Sequence, residues 1–418
     1  MRRITIFITL LITFVSAALH AQGTVKRRTP DYAFANFDRN KIIYPGDSLA
    51  MERFFEKLDT LLFMGQGKLN VMHIGGSHVQ AGVFSQQMRD NLLNLCPGIT
   101  AGRGLVFPFM KTNTPASFSV IRTGEWDYCR NAVPFDTRLG LAGASITTSD
   151  PEASFCIITR EKNPRDITPE FDFNLVKILG YGDNDSIVPV VHYNDRIIKG
   201  RYDKNEGSYT FRLPDYTDSL YVDFNQMPGT FTVTGVYLDN GMPGITYHGI
   251  GVNGARVDSY LSCLDLERDL RLVKPDLVIF GIGINDAAAD SFTKERFKRD
   301  YSTLIDIIHS VNPNCALLFV TNNDSYKRIR RNKYQVNPNG VLAEQAFLEL
   351  GKKYNAAVWD FFDIMGGLKS MQQWQNQNMA QKDKIHFTNA GYTLIGDLLF
   401  NALMDRYMEH LKYNNQEL

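Results

Sequence analysis

Three short apolar runs in this chain each open directly into a glycine-rich turn that carries a polar residue or a further glycine. The runs are Leu69–Ile74, Ile245–Ile250 and Leu277–Phe280. Runs of this length that alternate with helical periodicity are typical of parallel strands joined by crossover helices. Because such a sheet binds ligands beyond the carboxyl ends of its strands, the three turns are predicted to converge at one edge.

The turns contain residues suited to acyl transfer. Ser77 follows the first run, Gly254 the second and Asn285 the third. A serine hydroxyl can act as a nucleophile once a base takes its proton, and the oxyanion that then develops needs preorganised donors. The backbone N–H groups of Ser77 and Gly254 and the side-chain amide of Asn285 are predicted to supply them.

A base for this serine is predicted near the C-terminus, where Asp383 precedes His386 by three residues. At this spacing the carboxylate can accept from Nδ1–H of the imidazole, fix its tautomer and leave Nε2 free to take a proton. Ser77, His386 and Asp383 are therefore the predicted catalytic residues. Val79 occupies the place of the second glycine in a G-x-S-x-G elbow, which argues against an ordinary α/β-hydrolase.

The middle of the chain has a different sequence pattern. Between residues 113 and 244, short β-type runs alternate with turn residues, which predicts an all-β, jelly-roll-like sandwich. Residues 22–112 and 245–418 are predicted to form one discontinuous α/β domain with a parallel sheet. The β-rich segment then interrupts that domain after its first unit.

The N-terminus indicates export. Arg2 and Arg3 precede an apolar run, and small residues follow, as in a signal peptide spanning residues 1–21. Cleavage after Ala18 or after Ala21 fits equally well. The run is shorter than the roughly 20 apolar residues that a membrane span requires. We therefore expect a periplasmic or extracellular protein that has no integral membrane segment after cleavage.

The charge balance and the spacing of the cysteines argue against a nucleic-acid-binding protein and against a metal-binding protein. The chain has 45 basic and 45 acidic residues, so nucleic acid is not an expected partner. Its five cysteines show no metal-binding spacing, and neither a metal nor a cofactor is predicted. The oligomeric state has no signature in the sequence.

Taken in order, Gly-x-Ser-His, Asn-Gly-Ala, Gly-Ile-Asn-Asp and Asp-x-x-His resemble the four blocks of the SGNH, or GDSL-type, hydrolases. The resemblance places the invariant residues of that family on Ser77, Gly254, Asn285 and His386, with Asp383 as the triad acid. It implies a three-layer α/β/α fold. Gly76 departs from the pattern, since the family usually has Asp immediately before the nucleophile.

The β-rich insert resembles that of exported bacterial O-acetyl esterases, in which it looks like a carbohydrate-binding jelly roll. This resemblance implies a serine esterase that removes O-acetyl groups from a polysaccharide, with peptidoglycan favoured over dietary or plant glycans. Arg103 and Trp374 are predicted to contact that substrate. A lipase or thioesterase of the same fold and a catalytically silent glycan-binding protein are the alternatives.

Overall fold

The computed structural model describes residues 26–30, 32–96, 99–109, 117–159, 171–225, 228–331 and 333–414. The predicted signal peptide lies outside these ranges. No helix within them is long and apolar enough to cross a membrane. No disulfide bond joins cysteines within these ranges.

A seven-stranded sheet forms the centre of the α/β part of the described chain. The inner neighbours pair in parallel, and only the short edge strand Ile42–Ile43 runs antiparallel to its neighbour. In spatial order the strands are Ile42–Ile43, Ala357–Trp359, Ala316–Val320, Leu277–Gly281, Lys68–Gly75, Gly244–Gly251 and Thr100–Gly102. The three runs singled out in the sequence are therefore adjacent strands.

Helices cover both faces of this sheet, because neighbouring residues of each buried strand point to opposite sides. Val71 and Met72, for example, belong to two different hydrophobic clusters. One cluster includes the helices Leu49–Met64, Val83–Leu93 and Asn389–Asn414, and the other includes Val257–Leu261, Leu266–Val273, Lys294–Val311 and Asn339–Tyr354. This arrangement gives three layers.

The described ranges also contain four further short helices and a 3₁₀ turn at Phe37–Arg39. The helices are Ser77–Gln80, Ile284–Ala288, Phe361–Ile364 and Met371–Asn376. A small hairpin pairs Tyr326–Arg330 with Lys333–Val336. Thr388 caps the start of the last helix, since its hydroxyl accepts a hydrogen bond from the N–H of Gly391 at 3.2 Å.

Two antiparallel sheets occupy the middle of the chain. One contains Arg196–Lys199, Pro189–Tyr193, Ser219–Phe224, Ser154–Ile158 and Ser119–Thr123. The other contains Arg201–Asp203, Ser208–Thr217, Phe173–Gly182, Phe231–Asp239, Ala144–Thr148, Asp127–Arg130 and Gly104–Val106. The rings of Phe224 and Phe231, one from each sheet, have centroids 5.1 Å apart, so the two sheets share a core.

One strand of the second antiparallel sheet lies upstream of residue 113, where the β-rich segment was predicted to begin. Gly104–Val106 pairs with Phe231–Asp239, although it precedes residue 113. The pairing joins the two parts of the chain, because the next strand upstream, Thr100–Gly102, belongs to the parallel sheet. The domain limits and the jelly-roll strand order remain predictions.

Candidate active site

Three strands end at the same level beneath the site. Gly75 pairs with Gly251 on one side and with Gly281 on the other. The turns that follow therefore begin side by side. A Cβ on Gly75 would lie 2.3 Å from Cγ2 of Val79 and 2.8 Å from the carbonyl oxygen of Gly281, so the close approach at this level requires glycine.

Ser77, His386 and Asp383 form one hydrogen-bonded chain. His386 Nε2 is 2.7 Å from Ser77 Oγ, and Nδ1 is 2.7 Å from Oδ2 of Asp383. The second carboxylate oxygen accepts from the N–H groups of Ile385 and His386, both at 3.0 Å. The geometry is that of a nucleophile, a base and an orienting acid.

The carboxylate of Asp383 stays ionised. Burial acts to raise its pKa, but hydrogen bonds from the His386 side chain and from the backbone N–H groups of His386 and Ile385 outweigh burial and lower the pKa to about 2. An ionised acid at this place can hold the imidazole in one tautomer and stabilise it when it is protonated.

The amide of Asn285 lies over the backbone that precedes the serine. Its Nδ2 donates to the carbonyl oxygen of Ala255 at 2.9 Å, which leaves its second N–H for another acceptor. A Cβ at position 76 would lie 3.2 Å from this Nδ2. Gly76 therefore leaves the amide uncrowded where the family usually has Asp.

Two backbone donors accompany this amide. Ser77 begins the short helix Ser77–Gln80, so its N–H has no partner within the helix. Gly254 has a φ of 85°, a left-handed conformation that favours glycine. The side chain of Gln80 accepts from the N–H of Asn253, which ties the serine helix to the turn that carries Gly254.

Asp286 supplies a second link between these turns. Its carboxylate accepts from the N–H of Val257 with both oxygens, each at 3.3 Å. Burial raises its pKa to about 7 despite that hydrogen bond. Asn285 and Asp286 therefore hold Ala255 and Val257 at two points. The sequence shows two adjacent polar residues here but not their partners.

His78 is a further residue of the site to which the sequence analysis assigned no role. Its Nδ1 lies 2.8 Å from the hydroxyl of Tyr392, and its ring packs beside that of His386. Its position directly after Ser77 is the signal that could have drawn attention to it. Tyr392, more than 300 residues away in the chain, has no comparable signal.

Arg103 and Trp374 lie in the interior, at 2% and 0% exposure. Arg103 donates to Gln86 and to the carbonyl oxygen of Thr159. The indole N–H of Trp374 donates to the carbonyl oxygen of Met365 at 3.0 Å. Neither side chain offers a surface to a polymer, so their predicted substrate contact has no support in this geometry. The ring of Trp374 does pack against Phe387, next to the candidate base.

The chain is similar to known proteins in part of its sequence and in its fold. Residues 218–394 match the model of the GDSL-like Lipase/Acylhydrolase family. The matched stretch contains Gly254, Asn285, Asp383 and His386 and begins after Ser77. No curated protein is similar enough to match.

Among solved structures, a peptidoglycan O-acetylesterase is similar with a TM-score of 0.72, 19% identity and coverage of 88% of this chain and 99% of that chain. An acetyl xylan esterase (TM-score 0.30, 18% identity) covers 38% of this chain and 80% of its own length. A GDSL-like lipase from Bacteroides thetaiotaomicron (TM-score 0.29, 15% identity) covers 38% and 76%. Only the first has a TM-score high enough to inform the fold, and at 19% identity it informs the fold alone. The expected SGNH-type α/β fold is confirmed.

Proposed function

We propose that this chain, which carries a GDSL-like lipase/acylhydrolase domain, is an exported serine esterase that removes O-acetyl groups from a polysaccharide, with peptidoglycan favoured. The observation that carries the proposal is the position of His386 between Ser77 and Asp383, 2.7 Å from each. The similarity in fold to a peptidoglycan O-acetylesterase supports the choice of substrate class.

In the proposed reaction, His386 Nε2 takes the proton of Ser77 as Oγ attacks the acetyl carbonyl carbon. The N–H groups of Ser77 and Gly254 and the free N–H of Asn285 donate to the resulting oxyanion. As the tetrahedral intermediate collapses, the protonated imidazole gives its proton to the departing sugar oxygen. Water, activated by the same imidazole, then cleaves the acetyl-serine and releases acetate.

The test of this function is hydrolysis of 4-nitrophenyl acetate by wild type and by Ser77→Ala. The variant should lose nearly all activity while melting at the same temperature, because the members of a triad act as a unit. Ser310→Ala, on the surface of the helix Lys294–Val311, serves as the control. A Ser77→Ala protein that keeps more than a small fraction of the wild-type rate would refute the nucleophile.

Two further measurements separate the alternatives. A series of 4-nitrophenyl esters from acetate to decanoate distinguishes an acetyl esterase, whose rate falls with chain length, from a lipase or thioesterase. Covalent labelling of Ser77 by a fluorophosphonate probe would exclude a catalytically silent glycan-binding protein, since only an activated serine reacts readily.

A further inference from the structure

An open groove of about 510 Å³ adjoins the candidate acid Asp383. Besides this carboxylate, the groove is lined by Gln375, Asn378, Ala380, Gln381, Lys382 and Thr388. Its volume falls within the range of pockets that hold organic ligands. Asp383 connects the groove to the candidate triad, because this lining residue is hydrogen-bonded to His386 and His386 in turn to Ser77.

The wall of this groove and the candidate triad share one closed loop. Ala380 and Phe387 form an antiparallel bridge at its base. The N–H of Gln381 donates to the carbonyl oxygen of His386 at 2.7 Å, and the N–H of Lys384 donates to the carbonyl oxygen of Gln381 at 3.2 Å. A ligand held by this loop is therefore held in a fixed position relative to Asp383 and His386.

The lining is rich in neutral amides. Seven of the ten residues from Gln372 to Gln381 are Gln or Asn, and three of those seven line the groove. Each amide can both donate and accept, as a sugar hydroxyl or an acetamido group does. The charges of Lys382 and Asp383 balance each other. An acyl chain would need an apolar wall, and Ala380 is the one apolar lining residue.

One of these amides has hydrogen-bonding capacity to spare. Gln372 donates to Oε1 of Gln375 at 3.2 Å, which leaves Nε2 of Gln375 to donate elsewhere. Asn378 has a φ of 58°, a left-handed conformation that asparagine tolerates better than most residues. Its backbone oxygen accepts from Thr388 at 2.9 Å, so the loop conformation does not depend on its side chain alone.

We propose that this groove is a binding subsite for an uncharged glycan chain, which it recognises through hydroxyl and acetamido groups while the acetylated sugar lies at Ser77. This inference rests on the proposed esterase function and adds to it a surface that binds the rest of the glycan chain. Binding energy from a sugar remote from the ester would raise activity on a polymer without altering the chemistry on small esters.

The test compares two substrates, partially O-acetylated chitohexaose and 4-nitrophenyl acetate. Two variants remove side chains from the groove, the double variant Gln375→Ala/Lys382→Ala and the single variant Asn378→Gly. Alanine is compatible with the helix that contains Gln375 and with the exposed loop that contains Lys382. Glycine is compatible with the left-handed backbone conformation of Asn378. The ratio of kcat/KM on the oligosaccharide to that on the small ester should fall about fivefold to tenfold, as expected for the loss of one or two neutral hydrogen bonds.

The matched control is Gln373→Ala/Gln377→Ala, which removes two exposed amides of the same segment that do not line the groove. The control should keep the wild-type ratio. Equal ratios in groove variants and wild type, with melting temperatures unchanged, would overturn the subsite. So would an equal fall in the control, because the effect would then belong to the segment as a whole.

Binding measured without turnover separates this inference from the proposed function. Calorimetric titration of Ser77→Ala with unmodified chitohexaose should show binding that Gln375→Ala/Lys382→Ala weakens by a similar factor. If wild type hydrolyses neither ester, the proposed function fails and this titration still tests the groove. If wild type hydrolyses both but the titration shows no binding that depends on the groove, the subsite alone fails.

Discussion

The imidazole rings of His78 and His386 lie side by side, with their centroids 5.2 Å apart. Burial, and after it the charge of His386, lowers the pKa of His78 to about 3. His78 is therefore neutral at any ordinary working pH and does not compete with the candidate base for a proton. Its neighbour Tyr392 holds the ring in place through Nδ1.

Tyr392→Phe should lower both stability and turnover. The substitution leaves the buried Nδ1 of His78 without its partner, which costs about 1–3 kcal/mol in the free energy of unfolding. A less constrained ring beside His386 should also lower kcat on 4-nitrophenyl acetate several-fold. Urea denaturation and steady-state kinetics measure the two effects.

Tyr407→Phe is the matched control for this prediction. Its hydroxyl donates to Asp59 at 2.6 Å, between two helices and away from the candidate triad. This variant should lose stability and keep kcat. If Tyr392→Phe also keeps its kcat, the contact between the imidazoles of His78 and His386 contributes to packing and not to catalysis.

The sequence predicted the parts of the site that depend on strand ends. Ser77, Gly254 and Asn285 each follow an apolar run, and parallel strands in register place such residues at one edge of a sheet. Asp383 and His386 are three residues apart, so their contact is local.

The contacts that sequence could not predict join residues far apart in the chain. The partners of His78, Gln80 and Asp286 are 314, 173 and 29 residues away, and no periodicity links them. The prediction that Arg103 and Trp374 contact substrate has no support because the sequence did not show that both side chains are buried. Arginine and tryptophan at the surface are common substrate contacts, but both can also be buried where their N–H groups find acceptors.

Asp383→Asn should lower kcat by about 10²–10⁴ while leaving KM for a small ester nearly unchanged. An amide in this place can donate to Nδ1, and the imidazole then presents its N–H instead of a lone pair to Ser77. Because the pKa of Asp383 is about 2, its protonation should not limit activity above pH 4. A steady-state comparison with Asp383→Glu, which keeps the charge, tests the point. Equal rates in the Asn variant and wild type would remove Asp383 from the triad.

Asn285→Ala should lower kcat by about 10²–10³ with a smaller effect on KM, because its amide is needed once charge develops on the carbonyl oxygen. Asn312→Ala is the control. Its amide also donates to a backbone carbonyl oxygen, that of Pro275 at 2.7 Å, but near the opposite end of the sheet. A similar loss of kcat in the two variants would show that Asn285 acts through general stability rather than on the oxyanion.

Asp286 should make the protein less stable as pH rises from 4 to 7. Its pKa is about 7 when folded and near the ordinary 3.8 when unfolded, so between these values the folded state binds more protons than the unfolded state. Stability therefore falls with rising pH. At about 1.36 kcal/mol per pKa unit, the three-unit shift sets an upper limit of about 4 kcal/mol.

Asp286→Asn should remove this contribution, since an amide keeps an acceptor for the N–H of Val257 and does not ionise. Urea denaturation at pH 4, 5.5, 7 and 8 should therefore give a flatter profile for the variant. Asp290→Asn is the control, because a hydrogen bond from Lys327 lowers the pKa of that exposed carboxyl and its titration falls below this range. A wild-type slope in Asp286→Asn would mean that Asp286 is ionised in the folded protein throughout, with Val257 and its helix compensating for burial.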